Sequence, residues 1–356
     1  MTAITVAASL LVAACASNSN ATPTAGSPSA APSASAAASP AASGTTTLGG
    51  AAVNGWAQIP QVIAEVEPSV TSILQDNGEG SGVVWNADGV VVTNNHVVEG
   101  VDQVTVVYAD GKRSDGKVLA TDPLSDLAIV QTDRKDAPPA TFATEVPPVG
   151  SMAIALGNPL GFENSATVGI ISGSHRAIPG AASQAPALVD LVQTDAAISP
   201  GNSGGALVGA DARVIGVNVA YIPPSAGSVS IGFAIPAPTV TDVVDQLLKN
   251  GRAQHAYLGV LPAALTPEIV QQFDIQVSEG ALIVEVPSGG PADKAGIRPG
   301  DVVTGIGDTQ VSTVEDLLGA LRRQRPGDKV EVKVERDGAE QTIEVTLGDF
   351  PATTNQ

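Results

Sequence analysis

Between residue 69 and about residue 236 the chain is a succession of short β-branched runs, each cut off by Gly, Asn, Asp or Pro. The clearest fall at 70–74, 82–85, 90–93, 104–108, 127–131, 153–156, 168–172, 214–220 and 230–235. No helical period separates them, so an antiparallel sandwich or barrel assembly is expected. Only 3% of residues are aromatic, which leaves the filling of such barrels mostly to Val, Ile, Leu and Ala. Apolar residues at helical spacing mark an opening helix at 59–66. A stronger stripe (Val240, Val243, Val244, Leu247, Leu248) marks a helix at 239–249, ended by Asn250-Gly251.

That second helix is the natural boundary. The region from about 257 to 348 is smaller, more charged and of mixed character. Pro291 can open a short helix that Gly296 closes, and Ser312-Thr-Val-Glu315 reads as a capping box before Leu317, Leu318 and Leu321. Alternating strands at 329–335 and 340–347 meet at Asp337-Gly338, a hairpin signal.

The chain has 356 residues, 17 basic against 36 acidic, for a formal charge of −19. That length suits two domains plus a non-globular segment. The charge argues against nucleic acid or anionic lipid headgroups as partners, since both need a positive counter-surface. With 43% apolar residues there is material for a core. A single cysteine excludes an intramolecular disulfide framework and any multi-cysteine metal site.

That cysteine, Cys15, ends an apolar run that begins at Ala3. The run is too short to span a bilayer and fits a secretory signal. The small residues before Cys15 resemble a bacterial lipobox, with Val12 where Leu is usual. Segment 1–15 is therefore expected to direct export and lipid anchoring at the outer face of the bacterial cytoplasmic membrane. A plain signal with an incidental cysteine is the alternative. Residues 16–55 are almost all Ala, Ser, Thr, Pro, Gly and Asn, the composition of a disordered tether. A flexible chain of that length reaches on the order of 35 Å.

Three segments carry chemistry: Thr93-Asn94-Asn95-His96-Val97-Val98, Ser125-Asp126-Leu127-Ala128, and Asp195 through Gly205 with Gly201-Asn202-Ser203-Gly204-Gly205 at its end. Acyl transfer by serine needs a base for the hydroxyl proton, a carboxylate to hold that base's tautomer, and N–H donors for the oxyanion. Taken singly, each segment is a common turn or strand end. Together they stand in the order His, Asp, Ser within one strand-rich region, the order of chymotrypsin-like double barrels.

These segments resemble those of the HtrA/DegP family of serine proteases. Gly80-Ser81-Gly82-Val83, Ala155-Leu156-Gly157-Asn158-Pro159-Leu160-Gly161 and Ile231-Gly232-Phe233-Ala234-Ile235-Pro236 extend the likeness over residues 56–348. The resemblance implies a mainly β fold: a chymotrypsin-like double six-stranded β-barrel protease domain at 56–251, then a smaller α+β PDZ domain at 256–349. It implies His96 as general base, Asp126 as its orienter and Ser203 as nucleophile. The oxyanion hole is placed at Gly201, Asn202 and Ser203, with N–H groups from Gly201 and Ser203. Asn95 and Ser199 replace a commoner Ala and Asn, and the short loop at 75–79 leaves no room for a long inhibitory insertion. Ala197, six positions before Ser203 where trypsin carries its selective Asp, predicts with Asn218, Val219 and Ala220 a small apolar pocket. Cleavage is then expected after Val, Ala, Ile or Thr.

In the second region Tyr257, Leu258, Gly259 and Val260 match the PDZ loop that receives a peptide's C-terminal carboxylate. The expected partners are unfolded or damaged exported proteins, peptides with hydrophobic C-termini and two further copies in a homotrimer. No metal or organic cofactor is implied. His175 is read as a surface-loop residue and His255 as lying near the interdomain linker. Arg322-Arg323-Gln324-Arg325 is read as complementing a helix C-terminus. A proteolytically silent peptide-binding or chaperone-like module stays open as the alternative.

Overall fold

The computed structural model describes residues 55–351, apart from 77, 159–164, 179–187 and 223–230. Cys15 and all but the last residue of the expected tether lie outside the described residues. The first helix, α1 (Gly55–Val66), begins four residues earlier than its apolar period suggested and carries Pro60 inside it.

Twelve strands follow: β1 (Val70–Gln75), β2 (Gly78–Val84), β3 (Val90–Thr93), β4 (Gln103–Tyr108), β5 (Arg113–Asp122), β6 (Leu127–Thr132), β7 (Met152–Gly157), β8 (Ser165–Arg176), β9 (Leu191–Thr194), β10 (Ala206–Val208), β11 (Val214–Ile222) and β12 (Ile231–Pro236). They close into two antiparallel six-stranded barrels, ordered β1-β2-β3-β6-β5-β4 and β10-β11-β12-β9-β8-β7. β1 and β2 meet with Gln75 opposite Gly78, so the hairpin between them is tight.

Period-2 alternation explains how the barrels fill and join. Ala128 and Val130 of β6 point into the first barrel, while Leu127 and Ile129 face the layer between the barrels. On β7, Ala153 and Ala155 fill the second barrel and Ile154 and Leu156 join that same layer. Each buried Ile or Leu there is worth roughly 1.5–3 kcal/mol. Helix α2 (Ala237–Asn250) adds Val240, Val243, Val244 and Leu247 to the layer and ends at Gly251, φ 70°. It packs on β5, β6, β11 and β12.

The remaining elements are β13 (Ala256–Tyr257), β14 (Leu261–Ala264), α3 (Pro267–Phe273), β15 (Ala281–Glu285), α4 (Pro291–Ala295), β16 (Val302–Ile306), β17 (Thr309–Gln310), α5 (Val314–Arg322), β18 (Lys329–Arg336), β19 (Ala339–Thr346) and β20 (Gly348–Asp349). The sheet runs β14-β15-β16-β18-β19 with β17 on β16, and β13 pairs with β20. Helix α5 packs across β13, β14, β15 and β16 over Leu317 and Ala320. Its capping box is Thr313 with Asp316, one residue later than the Ser312–Glu315 reading. Thr313 Oγ1 accepts Asp316 N–H at 3.1 Å and Asp316 Oδ2 accepts Thr313 N–H at 2.9 Å. This register buries Val314, Leu317 and Leu321, which decides it.

Candidate active site

β3 and β6 are neighbours, with Thr93 opposite Ala128. The turn leaving β3 therefore lies beside the turn entering β6. The first is a 3-10 turn, Asn95–Val97, that carries His96; the second holds Asp126 at φ 53°, a left-handed conformation that Asp tolerates better than most residues. The Asp126 carbonyl accepts Asn95 N–H at 3.1 Å and Asn94 Nδ2 at 2.9 Å. Its carboxylate takes His96 N–H on Oδ1 at 2.9 Å and faces His96 Nδ1 through Oδ2 at 2.7 Å. A carboxylate only accepts, so Nδ1 carries the proton and the Nε2 lone pair is left unspent. The Asp126 side chain is 13% exposed and that of His96 45%, a sheltered orienter beside an accessible imidazole. Asn95 contributes its N–H, which any residue but proline supplies.

Ser203 sits in the turn between β9 and β10. Asn202 N–H is spent on Ser199 O at 3.0 Å, Gly204 N–H on Asn218 O at 2.8 Å and Gly205 N–H on Asn202 O at 2.9 Å. The N–H groups of Gly201 and Ser203 have no acceptor among the described residues. Gly201 has φ +93°. Of the three residues expected around the oxyanion, Gly201 and Ser203 thus keep a free donor and Asn202 does not. Ser203 Oγ donates a long bond, 3.4 Å, to Val219 O.

Close backbone approach joins the two turns. A Cβ at residue 80 would stand 2.7 Å from the Val97 side chain and 3.1 Å from Ser203 O. One at residue 204 would stand 2.1 Å from Ser81 O and 2.4 Å from Thr93 Oγ1. Only glycine fits at either position.

The expected pocket residues divide. Ala197 is exposed, and its carbonyl accepts Thr167 Oγ1 at 2.7 Å. Val219 is buried beneath Ser203, and Ala220 stands on β11 opposite Phe233 past a bulge. Asn218 is fully buried, its amide donating to Leu156 O at 3.2 Å and Ala206 O at 3.1 Å. It ties β7 and β10 to β11.

In the C-terminal region Tyr257 pairs with Gly348, Leu258 is buried with its carbonyl on Ala292 N–H at 2.9 Å, and Gly259 has φ +81°. The N–H groups of Leu258, Gly259 and Val260 have no acceptor among the described residues. They open onto β14, an edge strand whose sheet neighbour among the described residues is β15 and over which α5 packs.

Sequence reading missed a polar seam between the two regions. His255 is not simply a linker residue: its Nε2 lies 2.9 Å from Asp122 Oδ2 and its Nδ1 accepts from Arg322 Nη1 at 3.1 Å. A guanidinium only donates, so the His255 proton is on Nε2 and goes to Asp122. Burial pushes the Asp122 carboxyl up, but the hydrogen bond from His255, with that of Ser125 and the Arg322 charge, outweighs it and holds the group below the ordinary carboxylate value. Arg322 Nη2 reaches Leu124 O at 2.8 Å and Arg323 Nη1 reaches Asp190 Oδ1 at 2.7 Å. The basic run therefore reaches across to the barrels and does more than complement the end of its own helix. His175 stands at the end of β8, not in a loop, with Nδ1 2.7 Å from the same Asp190 oxygen. No periodicity signals such pairings, whose partners lie up to 198 residues apart.

A trypsin-like peptidase domain model matches residues 80–217 and a PDZ domain model residues 256–347. A Synechocystis protein named as serine protease HhoB is 37% identical over 292 residues, covering 79% of this chain and 69% of its own length. The chain belongs to the HtrA family of serine proteases. A DegP-like periplasmic serine endoprotease of Hahella chejuensis is 36% identical over 278 residues, 78% of this HtrA chain and 58% of its own length. A DegP-like relative from Chlamydia muridarum, 38% identical over 281 residues, is likewise covered only to 55%. The chain thus spans little more than half of these two relatives. Among solved structures, the HtrA-type protease AlgW with a tripeptide is similar at 34% identity and a TM-score of 0.67, covering 83% of this HtrA chain and 98% of its own. AlgW with a decapeptide is similar at 31% identity and a TM-score of 0.66, covering 82% and 99%.

Proposed function

We propose that this HtrA chain is a serine endopeptidase that cleaves misfolded or damaged exported proteins after small aliphatic residues. The observation that carries the reading is the His96–Asp126 pair, fixed in one tautomer, beside a glycine-rich turn that presents two unspent N–H groups around Ser203. In this mechanism His96 Nε2 takes the Ser203 hydroxyl proton as Oγ attacks the scissile carbonyl. The oxyanion is received by Gly201 and Ser203 N–H, donors of a kind worth roughly 10²–10³-fold each in kcat. The imidazolium then protonates the leaving amine, and water hydrolyses the acyl-enzyme by the same steps reversed. Asp126 keeps Nδ1 protonated and stabilises the imidazolium.

The Ala197 position, without charge or bulk, supports the preference for Val, Ala, Ile or Thr before the cut. The Leu258–Val260 N–H groups beside the β14 edge support capture of a hydrophobic C-terminus by strand addition. AlgW structures carrying peptides agree in kind. The names of the DegP-like relatives support export to the periplasm. Lipid anchoring at Cys15, the tether at 16–55, the domain limits 56–251 and 256–349 and a homotrimer held through the barrels complete the proposal. Only the Ser203 bond to Val219 O favours the silent-module alternative, and rotation about χ1 of one serine releases it. The test is a cleavage-site profile on a denatured protein library. Cuts after Val, Ala, Ile and Thr support the pocket assignment, and a profile dominated by Lys or Arg refutes it.

A further inference from the structure

Ser81, on β2 of the first barrel, is fully buried and bonded to the nucleophile turn of the second barrel at two points. Its Oγ donates to Gly201 O at 2.7 Å and its N–H donates to Ser203 O at 2.8 Å. These are the carbonyls of the very two residues whose N–H groups have no acceptor among the described residues. The hydroxyl has one proton, and its direction is forced: Asn158 N–H donates to the same Oγ at 2.9 Å, so the oxygen accepts there and must donate to Gly201. Asn158 is itself held through its carbonyl by the buried Ser72 hydroxyl on β1. The Ser81 carbonyl accepts Thr93 Oγ1 at 2.6 Å, three residues before His96, so both catalytic turns are referred to one residue.

The physical need for such a hold lies in Gly201. At φ +93° and without a Cβ, its backbone has the widest conformational freedom of any residue type. The Gly201–Asn202 peptide is pinned at one side by Asn202 N–H on Ser199 O and at the other by Ser81 Oγ on Gly201 O. Losing the second bond frees that plane and with it ψ of Gly201, so φ, which aims the N–H of the preceding Pro200–Gly201 peptide, is no longer held from the C-terminal side. We infer that Ser81 is a positioning residue for the oxyanion hole: its hydroxyl, not its fold contribution, keeps the Gly201 N–H aimed at the developing oxyanion. This deepens the endopeptidase reading above and rests on it.

The experiment uses the full chain as wild type, Ser81→Ala and Thr132→Val. Thr132 is another buried hydroxyl of the first barrel, bonded to Gly89 O and Tyr108 and away from the nucleophile turn, so it matches the stability cost alone. Three quantities are read: kcat and KM on a quenched peptide, the rate of Ser203 phosphonylation by a fluorophosphonate (whose P=O needs the hole), and Tm. Ser81→Ala is expected to lower kcat and phosphonylation together by about 10- to 100-fold, in the range for a misplaced oxyanion donor, with KM within about twofold. Thr132→Val is expected to lower Tm comparably and leave kcat within about threefold, because the two sites are independent. Should Ser81→Ala fail to fold, Ser81→Cys, which weakens the donor at similar volume, carries the same comparison. An active wild type with Ser81→Ala unchanged in kcat, or with both variants losing kcat in step with Tm, overturns the inference alone. A wild type inert to peptide and fluorophosphonate overturns the endopeptidase reading and this inference with it.

Discussion

Arg322 Nη2 donates to the carbonyl of Leu124 at 2.8 Å, two residues before Asp126. Arg322 is the last residue of α5, the helix over the β14 edge, so one element touches both that edge and the turn that carries Asp126. His255 completes the joint by linking Arg322 to Asp122 at the other end of that turn.

Arg322→Ala removes the donor to Leu124 O and the partner of His255 Nδ1. Hydrogen bonds from charged groups of this kind contribute about 1.5–3 kcal/mol. Urea denaturation should therefore show a loss of that size. A change below about 0.5 kcal/mol would show the joint to be energetically idle.

Acid should loosen the joint. The Asp122 carboxyl, held below its ordinary value near 3.9 when folded, contributes stability that is fully present above that value. The contribution disappears as pH falls through the folded value. In melting curves against pH, the gap between wild type and Asp122→Asn should be constant above about pH 5 and narrow below about pH 4. A gap that widens on acidification contradicts the assignment.

Asp126→Asn should leave the turn folded, because Asn95 N–H and Asn94 Nδ2 bind the Asp126 carbonyl and not its carboxylate. It should nonetheless lower kcat about 10⁴-fold, since an amide can present its NH₂ to Nδ1 and impose the wrong tautomer. Steady-state kinetics decide this, and a loss under about 100-fold would mean that Asp126 does not orient His96.

How much of this was legible beforehand follows from what each feature depends on. The strand-rich character of the first region and the three chemical segments are local patterns, and β3, β4, β6 and β7 stand close to their expected places; the double barrel itself was implied by the family resemblance. β5 was not legible: its ten residues include Arg113, Asp115, Gly116 and Lys117, and half of the ten are exposed, so no apolar alternation survives. The α5 cap was misread by one residue because Ser312 and Thr313 both suit the role, and only burial of Val314 and Leu317 chooses between them. Asn218 reads as a pocket residue because its strand is expected to flank the substrate. Its buried amide, bonded to two other strands, is a property of the assembled barrel. The Asp122–His255–Arg322 joint and the two bonds of Ser81 to the nucleophile turn arise only once distant segments meet.

Ser203 is proposed above as the nucleophile of an active endopeptidase. That role is tested most directly by incubating unfolded casein with the purified full chain and with Ser203→Ala, each with and without a hydrophobic C-terminal peptide. Fragments are expected from the wild type, none from Ser203→Ala, and peptide bound by both. Intact casein in every reaction, with peptide still bound, would contradict it and leave a binding module in place of a protease.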